Sequence, residues 1–369
     1  MNEMKNVRWL RSVAFVLLLV MAFAGVSQCY SLPASYDTRN LAAFDDEEEN
    51  TVDGLVFGTS VIGYSWNTPA AWRDYGMAVY HMGTSEQPFA VIRPFLDYAV
   101  KKHDIKYAVI DVHGLRSKTV ISSLKDTKVK SAYLNFPDFL HSFKVLHAIF
   151  DYAKMAFEFY GEPTENRSRY VSIYGKSYYL PLYTFHSRWV DGLVKSDFVT
   201  VKNRFLGADD REGKAFGIMD CSGEIGKWDY EVTGEIDGFQ RQQLEMLFEY
   251  GKEKNIELIF ISLPSFRTKA EQHELANLIR FCSEQGYDAI DFADEKVLAD
   301  AGIDLKTDFV NKGHLNSRGG VKSTKYVCEF LKEKGYYTPD HRGEEKYASW
   351  DTATEKYFRF YENGWKDKK

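Results

Sequence analysis

A short apolar run near the start of the chain ends on a turn that carries hydroxyl groups. The run is DGLVFGTS (53–60), in which Gly58 interrupts the strand-like pattern and Ser60 follows it. Many α/β enzymes present a nucleophile at the carboxyl end of a buried strand, on a turn whose backbone N–H groups can stabilise an oxyanion. Ser60 is therefore the predicted nucleophile, since Ser65 and Ser85 lack the strand-end position. The competing interpretation is a glycine turn that only ends a strand.

A histidine late in the chain could act as the matching base. His314 lies in TDFVNKGHLNSRG (307–319), directly before a predicted C-terminal helix. From this position an imidazole can reach over the edge of the sheet and take the proton of Ser60. Asp308 precedes it and is the predicted orienting acid. An early serine with a late acid and histidine indicates acyl transfer through an acyl-serine intermediate.

A second strand also ends on glycine, in HMGTSEQP (81–88). The N–H group of Gly83 would lie beside the tip of the first strand and could serve as an oxyanion donor. The amide of Gln87 could add a second donor. An ordinary glycine turn before a helix is the alternative.

Strands and helices alternate through most of the chain. This pattern predicts a parallel sheet with helices on both faces. The predicted strands are 54–58, 77–82, 107–112, 256–263 and, more weakly, 288–292. The predicted helices around them are 69–74, 88–102, 238–254, 268–284 and 317–334.

An insertion at about 115–235 breaks this alternation. It contains a predicted helix, 136–160, followed by aromatic-rich sequence that includes SYYLPLYTFHSRW (177–189). We expect the insertion to fold against the carboxyl edge of the sheet, where ligand sites of open α/β sheets lie. His186, Arg188 and Trp189 could then line a groove for the acceptor together with His113, or form a packed aromatic cluster.

The N-terminal segment, residues 1–32, predicts export or membrane attachment. Basic residues at 5, 8 and 11 precede an apolar stretch, 12–26, and this order places the rest of the chain outside the cytoplasm. An uncleaved membrane anchor is the preferred interpretation, and a signal peptide cleaved near Ala22–Ala24 is the alternative. The acidic segment 33–52 is predicted to be a linker, and the tail 339–369 either wraps the domain or extends from it.

Composition narrows the function further. The chain has 369 residues and a net charge of −6, without a dominant basic stripe, so nucleic acid is not indicated as a partner. The four cysteines show no metal-binding spacing, and no motif implies a metal or an organic cofactor.

Five segments of the chain carry a resemblance to a known superfamily: FGTS (57–60), HMGTSEQP (81–88), AVIDVHG (108–114), FHSRW (185–189) and DFVNKGHLNSRGG (308–320). Together they resemble segments of the SGNH (GDSL-like) hydrolase superfamily. More narrowly, they resemble those of the membrane-anchored DltD-like proteins of envelope polymer modification. The resemblance implies a three-layer α/β/α sandwich for residues 53–338, with a mainly parallel five-stranded sheet. It also implies Ser60 as nucleophile, Gly83 as oxyanion donor and His314 as base.

Two positions depart from the superfamily pattern. The acid usually stands three residues before the histidine, where this chain has Asn311. An asparagine can orient an imidazole but cannot stabilise the imidazolium by charge. The usual Gly-x-Asn oxyanion block is also absent near AVIDVHG, so His113 or Gln87 would have to replace it.

The sequence therefore predicts an extracytoplasmic serine acyltransferase or esterase. The resemblance implies that the substrate is an O-acylated envelope polysaccharide or a polyol polymer of the teichoic-acid type. The resemblance adds a multipass membrane acyltransferase as the expected partner. The alternative is a non-catalytic binding or scaffold subunit that keeps the fold.

Overall fold

A computed structural model of the chain describes residues 2–31, 36–123, 133, 136, 138–161, 182, 185–199, 202–208, 215–224, 234–336 and 339–366. Its centre is a five-stranded, all-parallel sheet with the spatial order β2-β1-β3-β4-β5. The strands are β1 (Gly54–Phe57), β2 (Val79–His81), β3 (Tyr107–Asp111), β4 (Glu257–Ser262) and β5 (Ala289–Asp291). A separate antiparallel pair consists of β6 (Phe309–Asn311) and β7 (His314–Leu315).

Helices alternate with these strands. In chain order they are α1 (Asn2–Tyr30), α2 (Tyr36–Phe44), α3 (Ser60–Ser65), α4 (Thr68–Tyr75), α5 (Ile92–Ala99), α6 (Ser117–Ser123), α7 (Phe139–Tyr160), α8 (Arg188–Asp191), α9 (Gly238–Lys254), α10 (Lys269–Glu284), α11 (Glu295–Asp300), α12 (Ser317–Glu333) and α13 (Ala348–Lys366). The three-layer α/β/α architecture expected from the sequence is confirmed.

The two faces of the sheet bury different side chains of the same strands. Because successive side chains in a strand point to opposite faces, Leu55 and Phe57 join one core and Val56 joins the other. Helices α5, α7, α9 and α10 cover the first face, and α3, α4, α11 and α12 cover the second. Burial on both faces explains why the strands read as continuous apolar runs in the sequence.

The strand order indicates at which edge of the sheet a ligand would bind. The chain moves from β1 outwards to β2 and then returns to the other side of β1 with β3. In open α/β sheets, ligands bind at the carboxyl ends of the strands where the winding direction reverses. In this sheet the reversal lies between β1 and β3, beside Ser60.

The segment expected to be a linker is partly folded, so that expectation is wrong for its central part. Helix α2 buries Leu41 and Phe44 in the core, and Asn40 Nδ2 donates to His81 Nδ1 over 3.2 Å. Burial lowers the pKa of His81 to about 3, so this imidazole is a neutral acceptor. Glu47 of the acidic run is also buried, which raises its pKa to about 7. An acidic run can therefore hold a packed carboxyl group as well as solvated ones.

The long helix of the insertion packs on a face of the sheet rather than on its carboxyl edge. Helix α7 contacts α5, α6 and α9, because its apolar stripe, with Val145, Ile149 and Tyr152, joins the first core. Another part of the insertion does reach the edge, where Gly207 O accepts a hydrogen bond from Asn40. Much of the aromatic stretch 177–189 lies outside the described residues.

The C-terminal tail wraps the domain. Helix α13 packs on α4, with the ring centroids of Trp350 and Trp72 5.3 Å apart and Trp72 Nε1 donating to Asp351 Oδ1 over 2.8 Å. The buried rings account for part of the high aromatic content of the chain.

Candidate active site

Ser60 stands at the tip of β1, as the sequence predicts. Strand β1 ends at Phe57, Gly58 and Thr59 form the turn, and Ser60 is the first residue of α3. Thr59 caps this helix, since its Oγ1 accepts from the N–H of Val61 over 3.4 Å. The cap fixes where the helix begins and so presents the partly exposed side chain of Ser60 at the carboxyl edge.

Gly58 makes this turn possible. Its φ is +157°, and a Cβ at this position would lie 2.6 Å from Asp111 Cβ and 2.9 Å from Asp111 Oδ2. Any side chain would therefore collide with the end of β3. The glycine that interrupts the strand pattern in the sequence is the residue that lets β1 and β3 approach closely before the nucleophile.

His314 meets Ser60 across 254 residues of sequence. Its Nε2 lies 2.8 Å from Ser60 Oγ. His314 is the first residue of β7 and directly follows the tight turn that links β6 to β7. Tyr64, one turn further along α3, packs its ring against the imidazole with centroids 4.4 Å apart. The predicted nucleophile and base are therefore within hydrogen-bonding distance.

Asn311, not Asp308, contacts the other nitrogen of this imidazole. His314 Nδ1 donates to Asn311 Oδ1 over 3.0 Å, and the same oxygen accepts from Gly313 N over 2.8 Å. With the proton on Nδ1, the lone pair of Nε2 faces the Ser60 hydroxyl, which is the tautomer that a general base requires.

The prediction of Asp308 as the orienting acid is wrong in this geometry. The Asp308 carboxylate is buried and accepts from Asp304 N and Lys322 Nζ, both over 2.7 Å, and from Thr307 Oγ1 over 3.3 Å. These contacts tie the start of β6 to α12. Asp308 therefore supports the hairpin that carries the histidine and does not face the imidazole.

The predicted oxyanion donors have different fates. Gln87 is buried and links the strand ends, since its Oε1 accepts from Gly58 N over 2.9 Å and one N–H of its Nε2 donates to Met82 O over 2.8 Å. These contacts give its amide a structural role, and its role as an oxyanion donor stays a prediction. Gly83 allows α3 to pack closely, because a Cβ there would meet Ile62 Cγ2 at 2.3 Å. The N–H groups of Ser60 and Gly83 stay the predicted donors.

His113 is not part of an open groove. It is completely buried, and its Nδ1 donates to Asp111 Oδ1 over 2.6 Å. Burial lowers the pKa of His113, which the Asp111 carboxylate opposes. Its Nε2 is buried as well, so neither ring nitrogen can reach a substrate oxyanion. Its predicted roles as oxyanion donor and as groove residue are both wrong for this reason.

Within FHSRW, Arg188 contacts the end of α1 rather than an acceptor groove. Arg188 Nη1 donates to Tyr30 O over 2.8 Å and also to Ser31 O, and its Nη2 bonds Asp197 Oδ1 over 2.5 Å. Arg188 thus binds the carbonyl end of α1, where a cation complements the helix dipole. His186 is exposed, and the side chain of Trp189 lies outside the described residues.

Two residues of the site were missed in the sequence. Tyr64 carries no signal beyond its spacing of one helical turn from Ser60. Arg267 lies beside the hairpin turn, with Nη1 and Nη2 each 3.4 Å from the point that a Cβ on Gly313 would occupy. Its position shortly after β4, at the same edge as Ser60, was a signal that could have identified it.

Among the described residues, no group of three or more His, Cys, Asp or Glu side chains could hold a metal ion. The candidate site consists of the Ser60 hydroxyl, the His314 imidazole and the Asn311 amide in series. Comparison of the chain with protein-family models and with curated proteins finds no match.

Proposed function

We propose that the protein is a serine acyltransferase or esterase that acts on O-acyl groups of an envelope polysaccharide or a polyol polymer. The observation that carries the proposal is the 2.8 Å separation of Ser60 Oγ and His314 Nε2, with Asn311 on the far nitrogen. A hydroxyl, a base and an orienting group in series form the arrangement used for covalent acyl transfer.

The first half of the reaction acylates Ser60. His314 Nε2 takes the hydroxyl proton while Oγ attacks the carbonyl carbon of the donor ester. The carbonyl oxygen becomes an oxyanion, which the N–H groups of Ser60 and Gly83 would stabilise. Collapse of this intermediate breaks the bond to the leaving oxygen, which takes the proton from His314.

The second half transfers the acyl group. A hydroxyl of the acceptor, or water, attacks acyl-Ser60 as His314 removes its proton, and the proton returns to Ser60 Oγ when the new ester or acid leaves. Asn311 holds the imidazole in the required tautomer throughout. Because it carries no charge, it stabilises the imidazolium less than an aspartate would.

The proposed location is the outer face of a membrane. Residues Val7–Tyr30 of α1 form a helix long and apolar enough to span a bilayer, and its apolar side chains are exposed. Arg188 binds the carbonyl end of this helix, so the insertion and α1 are held together. These contacts favour a retained anchor over a cleaved signal peptide. A protein fixed in this way would meet lipid-linked or nascent polymers and a multipass acyltransferase partner.

A second candidate function is a scaffold subunit without catalysis. The observation that favours it is Asn311, since an amide stands where a carboxylate would support a stronger base. The two candidates differ in whether Ser60 forms a covalent intermediate.

The test uses the full-length protein in detergent micelles with p-nitrophenyl acetate as donor and glycerol as acceptor. Release of p-nitrophenolate with formation of acetylglycerol supports a transferase, and release with acetate alone supports an esterase. Ser60→Ala is the negative control, and Ser65→Ala on the same helix is the matched control. Turnover that is absent from the wild type, or equal in Ser60→Ala, would favour the scaffold.

A further inference from the structure

Arg267 is held next to the catalytic hairpin by its own backbone. The preceding residue, Phe266, donates its N–H to Lys312 O over 2.6 Å, which ties the loop after β4 to the turn between β6 and β7. The guanidinium nitrogens Nη1 and Nη2 lie 3.4 Å from the Cβ position of Gly313, and Asn311 Oδ1 lies 3.4 Å from the same point. The cation is therefore adjacent to the amide that orients His314.

Arg267 has no direct ion-pair partner within the described part of the chain, and the carboxylates of Glu271 and Asp111 act on its charge only at longer range. Its guanidinium makes no hydrogen bond or ion pair with a described residue, and its Nε is buried without a partner. Arg116, the neighbouring arginine, differs because its Nη1 bonds Glu271 Oε1 over 2.8 Å. Burial, reinforced by repulsion from Arg116 and partly offset by attraction to Glu271 and Asp111, lowers the pKa of Arg267 to about 10. A half-buried guanidinium without a hydrogen-bonded anion is costly, so an anion that binds it directly would be stabilised.

The lack of a side chain at Gly313 leaves the two terminal nitrogens of Arg267 uncovered on the side of the hairpin. A Cβ at this position would lie 3.4 Å from both nitrogens and would cover them. The planar fork of an arginine matches the two oxygens of a phosphate or a carboxylate. The accessible cation thus lies beside the hairpin that carries His314.

We propose that Arg267 forms a subsite that binds an anionic group of the substrate, a phosphate or a carboxylate, beside the acyl-serine. The proposal rests on the proposed function and narrows its substrate class to molecules with a negative charge near the reacting ester or hydroxyl. Because Gly313 has no side chain, the anion can approach both terminal nitrogens of Arg267. Arg267 is in this account a specificity residue and takes no proton.

Binding tests the subsite without any need for catalysis. Calorimetric titration of the full-length protein in neutral detergent with sn-glycerol 3-phosphate and with glycerol compares an anionic and a neutral polyol. We expect the phosphate ester to bind more tightly, and Arg267→Gln to weaken it by at least about tenfold. Lys269→Gln removes an exposed cation two residues away and is the matched control. Equal binding of both polyols, or unchanged phosphate binding in Arg267→Gln, would overturn the subsite.

Ser60→Ala separates this proposal from the proposed function. If Ser60 is not a nucleophile, the phosphate ester still binds to the wild type and to Ser60→Ala, and only the catalytic proposal fails. If the subsite is wrong, ester turnover persists without any preference for an anion.

Two substrates locate the anion. One is p-nitrophenyl hydrogen succinate, whose charge is on the acyl group, and the other is glycerol phosphate as the acceptor of an acetyl group. Arg267→Gln should lower the preference for the charged over the neutral partner by at least about tenfold in one of the two pairs. That pair identifies whether the acyl group or the acceptor carries the charge. Equal losses with charged and neutral partners would assign the guanidinium to the chemical step and contradict a specificity role.

Discussion

Two histidines lie at the carboxyl edge of the sheet, and they differ in exposure and in the groups that their ring nitrogens contact. His314 is partly exposed, meets a hydroxyl at one nitrogen and contacts an amide at the other. His113 is completely buried and has the carboxylate of Asp111 at 2.6 Å. The carboxylate that a serine hydrolase usually places behind its catalytic imidazole is thus found behind the histidine that no substrate can reach.

The difference shows that a histidine–carboxylate pair can be completely buried, where no substrate reaches it. Asp111 and His113 lie under the Gly58 turn, where a Cβ on Gly58 would contact Asp111. Their contact stabilises the end of β3 against β1. His314 has a weaker partner, but it contacts the hydroxyl of Ser60 and is partly exposed to solvent. Exposure and the contact with a hydroxyl, rather than a carboxylate partner, make His314 the candidate base.

The largest expected effect comes from the hydroxyl. Ser60→Ala removes the nucleophile and should lower kcat for p-nitrophenyl acetate by about 10⁴-fold or more. Ser65 lies one turn further on α3 with a buried Oγ, so Ser65→Ala should keep its activity. Equal losses in both variants would indicate damage to the helix rather than loss of a nucleophile. The measurement is steady-state hydrolysis, with thermal unfolding as the check on folding.

Substituting each of the two histidines separately distinguishes an effect on kcat from an effect on the free energy of unfolding. His314→Ala should lower kcat by about 10³- to 10⁴-fold with little change in unfolding. His113→Gln should lower the free energy of unfolding by about 1–3 kcal/mol, because it disturbs a buried hydrogen bond, with a much smaller loss of kcat. Hydrolysis rates and chemical denaturation of the same preparations check both. A reversal, with His113→Gln inactive and His314→Ala active, would contradict the comparison.

Giving His314 a carboxylate should make the two pairs alike. Asn311→Asp places a negative charge at Nδ1, which raises the pKa of the imidazole and stabilises the imidazolium. We expect plateau kcat to rise by up to about tenfold and the acid limb of the pH–rate profile to move to higher pH. Asp308→Asn is the control, since Asp308 bonds Lys322 and not the imidazole. A shifted profile in Asp308→Asn would show that Asp308 acts on His314 after all.

The pH dependence of stability tests the state of His113. Its folded pKa is lowered by burial, so it contributes stability that is present above its unfolded pKa of about 6.5 and is lost as pH falls. The destabilisation caused by His113→Gln should therefore be largest near pH 8 and shrink towards pH 5. Denaturation at several pH values measures it. A difference that grows towards pH 5 would mean that Asp111 keeps His113 charged.

The smallest expected effect is that of the ring that covers the base. Tyr64 packs on His314 with centroids 4.4 Å apart. Tyr64→Leu should lower kcat only a few-fold, because the hydrogen bonds still orient the imidazole. Tyr64→Phe keeps the ring and should restore the rate. Equal losses in both variants would assign the effect to the hydroxyl.

The sequence was sufficient for the sheet because local patterns determine it. Strands β1, β2 and β3 are buried on both faces, and the sequence pattern for the half-buried β5 is correspondingly weaker. The helix between Asp237 and Lys254 begins at a capping box that can be recognised in the sequence. The pair Ser60 and His314 was also predictable, since both follow or precede elements whose ends meet at one edge. The linker prediction for 33–52 was wrong because it was based on the acidic run at 45–49, whereas the residues directly before that run form the packed helix α2.

The partners within the site could not be read in the same way. Asp308 and Asn311 are both close to His314 in sequence, and only the hairpin of β6 and β7 decides which one faces the ring. The fates of Gln87 and Arg188 likewise depend on which backbone groups they meet after folding. Side-chain direction over a few residues is set by tertiary contacts, not by propensity.

The most direct test of the central claim is labelling with a fluorophosphonate, followed by mass spectrometry of the modified peptide. The full-length wild type in detergent should carry one phosphonyl group on Ser60. Labelling should be abolished in Ser60→Ala, strongly slowed in His314→Ala and unchanged in His113→Gln. A wild type that resists labelling, or a label on another serine that survives Ser60→Ala, would contradict a nucleophile at position 60.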